Sequence, residues 1–145
     1  MAEKTYHMKV PSTTETLHKV REFVSEAAHT CGFDEESMNK ISIAVDEACT
    51  NIIKHAYNYS PNYVIDLKIT MSDSKFEVII THWGKSFDSE VIKQPDMKEY
   101  LTHYRKGGLG IHLMRSLMDK VEYIILTDRS NEVHLVKYLP MKVSR

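Results

Sequence analysis

Residues that could form disulfide bonds or bind a structural metal are few in this 145-residue sequence. Its two cysteines, Cys31 and Cys49, form no C-x-x-C motif, and its eight histidines include no H-x-H or H-x-x-x-H pair. The pattern predicts two free thiols and no transition metal held by protein side chains alone. Because a chain of this length can bury a core without disulfide bonds or a metal, we expect one domain spanning residues 1–145.

Long apolar runs and an excess of one charge are also missing. Lysine and arginine number 19 against 20 for aspartate and glutamate, and both signs are spread along the chain, which does not indicate direct nucleic-acid binding. The longest apolar runs, such as residues 123–126, are too short to span a bilayer, and the N-terminus lacks the apolar stretch of a signal peptide. We therefore expect a cytoplasmic protein without membrane contact.

Two amphipathic helices are predicted after a short strand at residues 5–10. The S-x-x-E spacing of residues 12–15 predicts a capping box for the first helix, and Asp34 is expected to cap the second. Apolar residues then recur at intervals of three and four: Leu17, Val20, Val24, Ala27 and Cys31 in the first helix, and Met38, Ile41, Val45, Ala48 and Ile52 in the second. The second stripe is predicted to be wider, including Ile43, Ala44, Cys49 and Ile53.

The rest of the chain alternates in the manner of strands. Residues 63–71 and 76–82 predict a hairpin, and residues 121–127 and 132–138 predict two further strands after a helix at residues 109–118. The stretch between Gly84 and Gly107 is much longer than an ordinary connection and predicts a functional lid. The order indicates an α+β fold, a two-layer α/β sandwich whose mixed, mostly antiparallel sheet carries helices on one face.

Glu47 and Asn51 are the first candidate site residues. They lie four residues apart on the second helix, so their side chains project from one face on successive turns, at the edge of the apolar stripe. A carboxylate can act as a general base, and an amide oxygen is a suitable ligand for a hard cation such as Mg²⁺. The pair indicates a Mg²⁺-nucleotide site, although two solvent-facing residues on an ordinary helix would show the same spacing.

The second candidate is the strand end THWGKSFD, residues 81–88. Alternation places His82 in the same layer as Val78 and Ile80, and Gly84 allows the backbone to approach a flat ligand or to leave the sheet sharply. On these residues alone, a turn with a histidine at the edge of the core is the simpler interpretation.

The third candidate is the run Gly107-Gly108-Leu109-Gly110 ahead of a predicted helix. Main-chain N–H groups at a helix N-terminus favour anions, and Arg105 and Lys106 add positive charge beside them. The run predicts a phosphate site, and a glycine-rich loop without a ligand is the alternative.

Together, DEACTN, HWGKSFD and GGLGIHLM resemble in order and spacing the N, G1 and G2 boxes of the GHKL (histidine-kinase/Hsp90-like) ATPase superfamily. More narrowly, IAVDEACTNIIKHAY and GGLGIHLMRSLMDKVEY resemble the anti-sigma-factor serine kinases of bacterial partner-switching systems. The resemblance runs through the whole chain. It implies the Bergerat fold, ATP and Mg²⁺ as cofactors, and a protein serine/threonine kinase that phosphorylates an anti-sigma-factor antagonist and captures a sigma factor.

The resemblance also implies roles for individual residues. Glu47 would be the general base and Asn51 the Mg²⁺ ligand, with His55 on the same site helix. His82 and Gly84 would line the adenine pocket, and residues 88–106 would form the ATP lid. The phosphates would lie on Gly108, Leu109 and Gly110, and either Arg105 or Lys106 would meet the γ-phosphate. A homodimer is implied as well, with the first strand as a possible pairing edge.

The sequence departs from the family pattern in the G1 box, D-x-G-x-G. His82 stands where an aspartate accepts the adenine amino group, and Ser86 replaces the second glycine. Losing a charge-assisted hydrogen bond would weaken affinity roughly ten- to a hundredfold, which predicts ATP binding that is weak, pH-dependent or absent. The alternative function is a catalytically weak or inactive module that regulates by binding a partner protein. A plain ATPase or a detached histidine-kinase domain is a third interpretation.

Overall fold

One five-stranded sheet organises the part of the chain that the computed structural model describes, residues 3–83, 112–126 and 130–140. Its strands, in the spatial order β1-β2-β3-β5-β4, are β1 (Lys4–Pro11), β2 (Val64–Met71), β3 (Lys75–His82), β4 (Lys120–Ile125) and β5 (Asn131–Tyr138). All four pairings between these strands are antiparallel. The predicted α+β fold is confirmed, but the sheet expected to be mixed is antiparallel throughout its described strands.

Strict alternation places one face of this sheet against the helices. Along β2 the buried residues are Ile65, Leu67, Ile69 and Met71, and along β3 they are Phe76, Val78, Ile80 and His82. Helix α1 (Leu17–Cys31) packs on β2, and α2 (Glu35–Asn51) packs on β3 and β5. The core therefore lies in a single layer between the two helices and the sheet, as the sequence predicted.

The start of α1 differs from the predicted capping box. A 3-10 turn, Thr14–Thr16, precedes the helix, and no side chain caps either element. The hydroxyl of Ser12 instead donates to the carbonyl of Ser60 at 2.5 Å, and the Ser12 N–H donates to the carbonyl of Tyr63. Ser12 is buried against the loop that follows α2. Its hydroxyl therefore bonds a residue distant in sequence and does not cap the helix.

Helix α2 begins as predicted, because the Asp34 side chain accepts a hydrogen bond from the N–H of Ser37 at 2.8 Å. Most of the predicted stripe is buried, but Ile43 is 46% exposed, so its inclusion in the stripe was wrong. Each helical residue turns by about 100°, which places Ile43 far from both Ile41 and Val45 around the helix axis.

A π-helical turn, Ile52–Ala56, continues the chain directly beyond α2, where the sequence predicted ordinary helix. The N–H of Tyr57 reaches back five residues to the carbonyl of Ile52 at 2.9 Å. Asn58 and Tyr59 then adopt positive φ angles of 50° and 64°. Such left-handed residues are uncommon outside glycine, and here they turn the chain sharply from the helix toward β2.

The third predicted helix is helical at residues 112–117. The lid at residues 88–106 and the glycine run at 107–110 lie outside the described residues, as do residues 127–129 between β4 and β5. Within the described ranges, no helix is long and apolar enough to cross a membrane.

Candidate functional site

Asn51 is the last residue of α2 and lies almost entirely out of solvent, 4% exposed. Its Nδ2 is buried and meets no hydrogen-bond acceptor among the described residues. An amide donor buried in this way costs about 1–3 kcal/mol, so a native protein seldom keeps one without a ligand or other acceptor to satisfy it. The observation fits a site at which a polar ligand meets the end of α2.

Glu47 lies one turn before Asn51 and is half-buried, at the boundary that its position beside the stripe predicted. No hydrogen bond or ion pair within the described ranges engages its carboxylate. The preceding residue differs: Arg21 Nη1 donates to Asp46 Oδ1 at 2.7 Å and links α1 to α2. Of these two adjacent carboxylates, Asp46 links the helices, whereas Glu47 makes no such contact in the described part of the chain.

His55 lies on the π-helical turn and is half-buried. Burial lowers its pKa, and the neighbouring charge of Lys54 lowers it further, so both effects favour the neutral imidazole. The wider π turn shifts His55 from the strict four-residue register with Asn51 that an α-helix would impose. It remains on the segment that continues α2 beyond Asn51.

His82 ends β3 and is fully buried, in the same layer as Val78 and Ile80, as alternation predicted. Desolvation lowers its pKa from 6.5 to about 4, which makes it neutral at physiological pH. Its cross-strand neighbour on β5 is Asn131, another buried polar residue, 6% exposed. Two polar side chains thus enter the core layer together at this end of the sheet.

Asn131 and Tyr57 belong to this region but were missed from the sequence. Asn131 precedes Val133 and Leu135 in strict alternation, so its inward direction could have been predicted from the strand pattern. Tyr57 ends the IAVDEACTNIIKHAY run, and its ring meets His82 edge-on with centroids 5.9 Å apart. The hydroxyl of Tyr57 bonds main-chain groups of Val64 and Trp83, which the pattern of side chains in the sequence does not reveal.

The structure therefore connects the segment that follows α2 to the end of β3, through the contact of Tyr57 with His82. Asn51 ends α2, and His55 lies on the π-helical turn between Asn51 and Tyr57. The other predicted site residues, Gly84, Arg105, Lys106, Gly108, Leu109 and Gly110, lie outside the described residues. Their roles stay predictions.

Comparison with known proteins identifies the class. The family model described as "Histidine kinase-like ATPase domain" matches residues 10–137. The chain therefore belongs to the histidine kinase-like ATPase domain family. The membership inferred from the three motifs is confirmed.

Relatives within the family are more particular. The chain is 34% identical over 137 residues to the serine-protein kinase RsbW of Bacillus velezensis, covering 91% of this chain and 84% of that protein. It is 35% identical over 123 residues to RsbW of Halalkalibacterium halodurans, covering 82% and 75%. For RsbW of Staphylococcus aureus MSSA476 the identity is 31% over 142 residues, covering 94% and 88%.

A solved structure supports the fold alone. The crystal structure of the RsbU and RsbW domains of a Mycobacterium tuberculosis protein aligns with a TM-score of 0.62 at 14% sequence identity. The alignment covers 98% of this chain and 35% of that one, so this chain corresponds to about a third of the larger protein.

Proposed function

We propose that this protein is an anti-sigma factor and an ATP-dependent protein serine/threonine kinase that phosphorylates an anti-sigma-factor antagonist. The observation that carries the proposal is the buried Nδ2 of Asn51, which meets no acceptor in the described part of the chain, one helical turn beyond the half-buried Glu47. In a histidine kinase-like ATPase domain related to serine-protein kinases, this pair suits the phosphate side of a nucleotide site.

Glu47 and Asn51 have different proposed roles in phosphoryl transfer. The Glu47 carboxylate would accept the proton of the substrate hydroxyl as that oxygen bonds to the γ-phosphorus of ATP and the bond to the departing ADP breaks. Asn51 would hold Mg²⁺ through its amide oxygen, and its Nδ2 could then donate to a phosphate oxygen or a bound water. Bound Mg²⁺ supplies charge neutralisation on the phosphates. An uncharged amide suits this ligand role because it adds no second negative charge beside Glu47.

The remaining assignments follow the family pattern. His82 and Gly84 line the adenine pocket, with residues 88–106 as the ATP lid. Gly108, Leu109 and Gly110 would hold the phosphates, and Arg105 or Lys106 would meet the γ-phosphate. A neutral imidazole has one donor and one acceptor nitrogen, and the edge of adenine likewise offers a donor and an acceptor. The low pKa of His82 supports this task because the side chain keeps its acceptor at pH 7.

The proposed partners are proteins in the same compartment, the cytoplasm: the antagonist, a sigma factor and a second copy of the chain. Strand β1 lies at one edge of the described sheet, with β2 as its hydrogen-bonded neighbour. An unpaired strand edge can extend a sheet across two subunits. Light scattering coupled to size-exclusion chromatography would test the dimer, and a monomeric mass at micromolar concentration would contradict it.

The central experiment is transfer of the γ-phosphate from Mg-ATP to an antagonist protein purified with it. Glu47→Gln keeps the size of the side chain but removes its basicity, and we expect transfer to fall by at least about a hundredfold. Asp46→Asn is the matched control, because the Asp46 carboxylate bonds Arg21 on the other helix. This variant should transfer phosphate within a fewfold of the wild-type rate. Equal activity of Glu47→Gln and wild type would remove Glu47 from the mechanism.

A second candidate function, a partner-binding module without catalysis, is favoured by His82 at the position where the family has aspartate. Calorimetry at millimolar Mg-ATP separates the two functions. Saturable, Mg²⁺-dependent heat supports the kinase. If there is neither heat nor a thermal shift, but the protein still captures a sigma factor, the binding module replaces the kinase.

A further inference from the structure

Tyr57 lies on the segment that connects Asn51, proposed to bind on the phosphate side, to His82, proposed to bind the adenine. It follows the π-helical turn after Asn51, and its own N–H closes that turn on Ile52. The ring is buried, 3% exposed, and stacks on Tyr63 with centroids 4.4 Å apart and planes within 5°. The ring also contacts His82 edge-on. Because it is buried and packed against two other rings, it has little freedom to move.

The Tyr57 hydroxyl takes the place of a main-chain pair in the sheet. Ile65 and His82 form the last paired position between β2 and β3, so Val64 and Trp83 would face each other next. Instead, the hydroxyl donates to the carbonyl of Val64 at 2.7 Å and accepts from the N–H of Trp83 at 2.9 Å. A pair bridged by an oxygen is wider than a directly bonded pair, so the strands separate at this point.

This separation occurs at the strand end that leads to the predicted adenine pocket. His82 lies on one side of the bridge, and Trp83 is the last described residue before Gly84. Because Tyr57 continues from the helix that carries Asn51, one hydroxyl connects that helix to the end of β3. A change at this hydroxyl would move the strand end without removing any group expected to touch a phosphate.

We propose that Tyr57 is a positioning residue for the nucleotide base, its hydroxyl setting the place of the His82–Trp83 strand end relative to the helix bearing Asn51. The inference rests on the proposed function, since it requires the protein to bind ATP. It adds to that function a residue that determines discrimination of the base and takes no part in the transfer step.

The test compares Tyr57→Phe with Tyr63→Phe in the full chain. Tyr57→Phe keeps the ring and removes both bridging bonds, whereas Tyr63→Phe keeps the stacked pair and removes a hydroxyl from a side chain that is 46% exposed. Calorimetry would measure binding of Mg-ATP and of Mg-tripolyphosphate, which lacks the base. We expect Tyr57→Phe to bind ATP roughly tenfold more weakly, the scale of about one hydrogen bond. Tripolyphosphate binding, and both affinities of Tyr63→Phe, should stay near wild type.

Kinetics give an independent measure. In phosphoryl transfer, Tyr57→Phe should raise the KM for ATP by a similar factor and leave kcat unchanged, because the phosphate groups and Glu47 keep their places. Equal ATP affinity in Tyr57→Phe and wild type would overturn the inference. An equal loss for ATP and tripolyphosphate would overturn it too, since the base would then have no special share. A wild-type protein that binds no ATP would instead refute the proposed function.

The wild-type protein offers a second measurement should Tyr57→Phe fail to fold. Trp83 is the single tryptophan of the chain and is 47% exposed, so its fluorescence reports on this strand end. Saturating Mg-ATP should shift Trp83 emission and slow hydrogen exchange at the Trp83 N–H, while Mg-tripolyphosphate should do neither. Identical responses to the two ligands would contradict a role toward the base.

Discussion

The ring of Tyr57 meets the imidazole of His82 edge-on, with centroids 5.9 Å apart and planes at 83°. The contact joins the residue after the site helix to the last residue of β3. It also helps to exclude water from His82, and burial is what lowers the pKa of that imidazole to about 4. Protonation of His82 should therefore change ATP binding only in acid, well below the pH of a cell.

Replacing His82 by aspartate tests the adenine assignment. If His82 occupies the adenine position, His82→Asp should bind Mg-ATP roughly ten- to a hundredfold more tightly, because a carboxylate makes a charge-assisted bond to the amino group. The same variant should be less stable without nucleotide, since a carboxyl group enters a fully buried position. Calorimetry and thermal unfolding measure the two effects.

His82→Asn is the matched control for that substitution, because it has nearly the size of aspartate and carries no charge. Equal tightening in both variants would show that charge is not the cause. Unchanged ATP affinity in both would mean that His82 lies away from the base and that the alignment of this box is wrong.

Stability should fall in acid because His82 is buried in its neutral form. Its pKa is about 4 in the folded protein against about 6.5 when unfolded, so the unfolded chain binds the proton first. Folding stability from this group is fully present above about pH 6.5, is lost as the pH falls toward 4, and changes no further below that. Between pH 7 and pH 5 the loss should be about 2 kcal/mol.

Urea unfolding of wild type and His82→Leu at both pH values would measure this loss, because the other titrating groups are common to the two proteins. The wild type should lose about 2 kcal/mol more than the leucine variant over this interval. Parallel pH profiles would show that His82 gains protons as readily in the folded chain as in the unfolded one.

The fold was predictable because its main signals are periodic and local. Alternation along β2 and β3 specified both the hairpin and the inward direction of His82, and Asp34 capped α2 as its position predicted. Ser12 shows the limit of such reasoning: its S-x-x-E spacing was present, but a contact with Ser60 from a distant loop satisfied the hydroxyl. Local motifs compete with tertiary partners that the sequence does not reveal.

The site was predictable only as far as its side chains form a pattern. Glu47 and Asn51 were predicted from their spacing, and the burial of Asn51 supports the role proposed for it. Tyr57 was not found, because its hydroxyl bonds the main-chain atoms of Val64 and Trp83, which any residue could supply. A hydrogen bond to a main-chain group cannot be predicted from residue type, because nearly every residue carries the same main-chain groups.

The two thiols should differ in reactivity. Burial raises the pKa of Cys49 to about 12, with a smaller contribution from Asp46, so very little thiolate forms at pH 8. Cys31 is half-buried, and desolvation raises its pKa as well. We expect iodoacetamide to modify Cys31 slowly in the folded protein and Cys49 only after unfolding in urea. Peptide mass spectrometry would measure both rates, with Cys31→Ser as the control, and equal native rates would contradict the burial of Cys49.

Asn51→Leu should separate stability from nucleotide binding. Leucine has a similar volume and no buried donor to satisfy, so the free protein should unfold no more easily than wild type and could gain about 1 kcal/mol. Mg-ATP binding should nevertheless be lost, because the amide oxygen and Nδ2 are the groups proposed to meet Mg²⁺ and phosphate. Thermal unfolding with and without Mg-ATP measures both effects in one experiment.

Asn51→Asp provides the comparison for that variant, because it keeps an oxygen ligand for Mg²⁺ but buries a second carboxylate one turn from Glu47. It should retain part of the Mg²⁺-dependent binding and be less stable without ligand than either wild type or Asn51→Leu. If Asn51→Leu is destabilised by several kcal/mol, the amide has a structural partner and its burial says nothing about a ligand. If that variant is stable and still binds Mg-ATP like wild type, the nucleotide lies elsewhere.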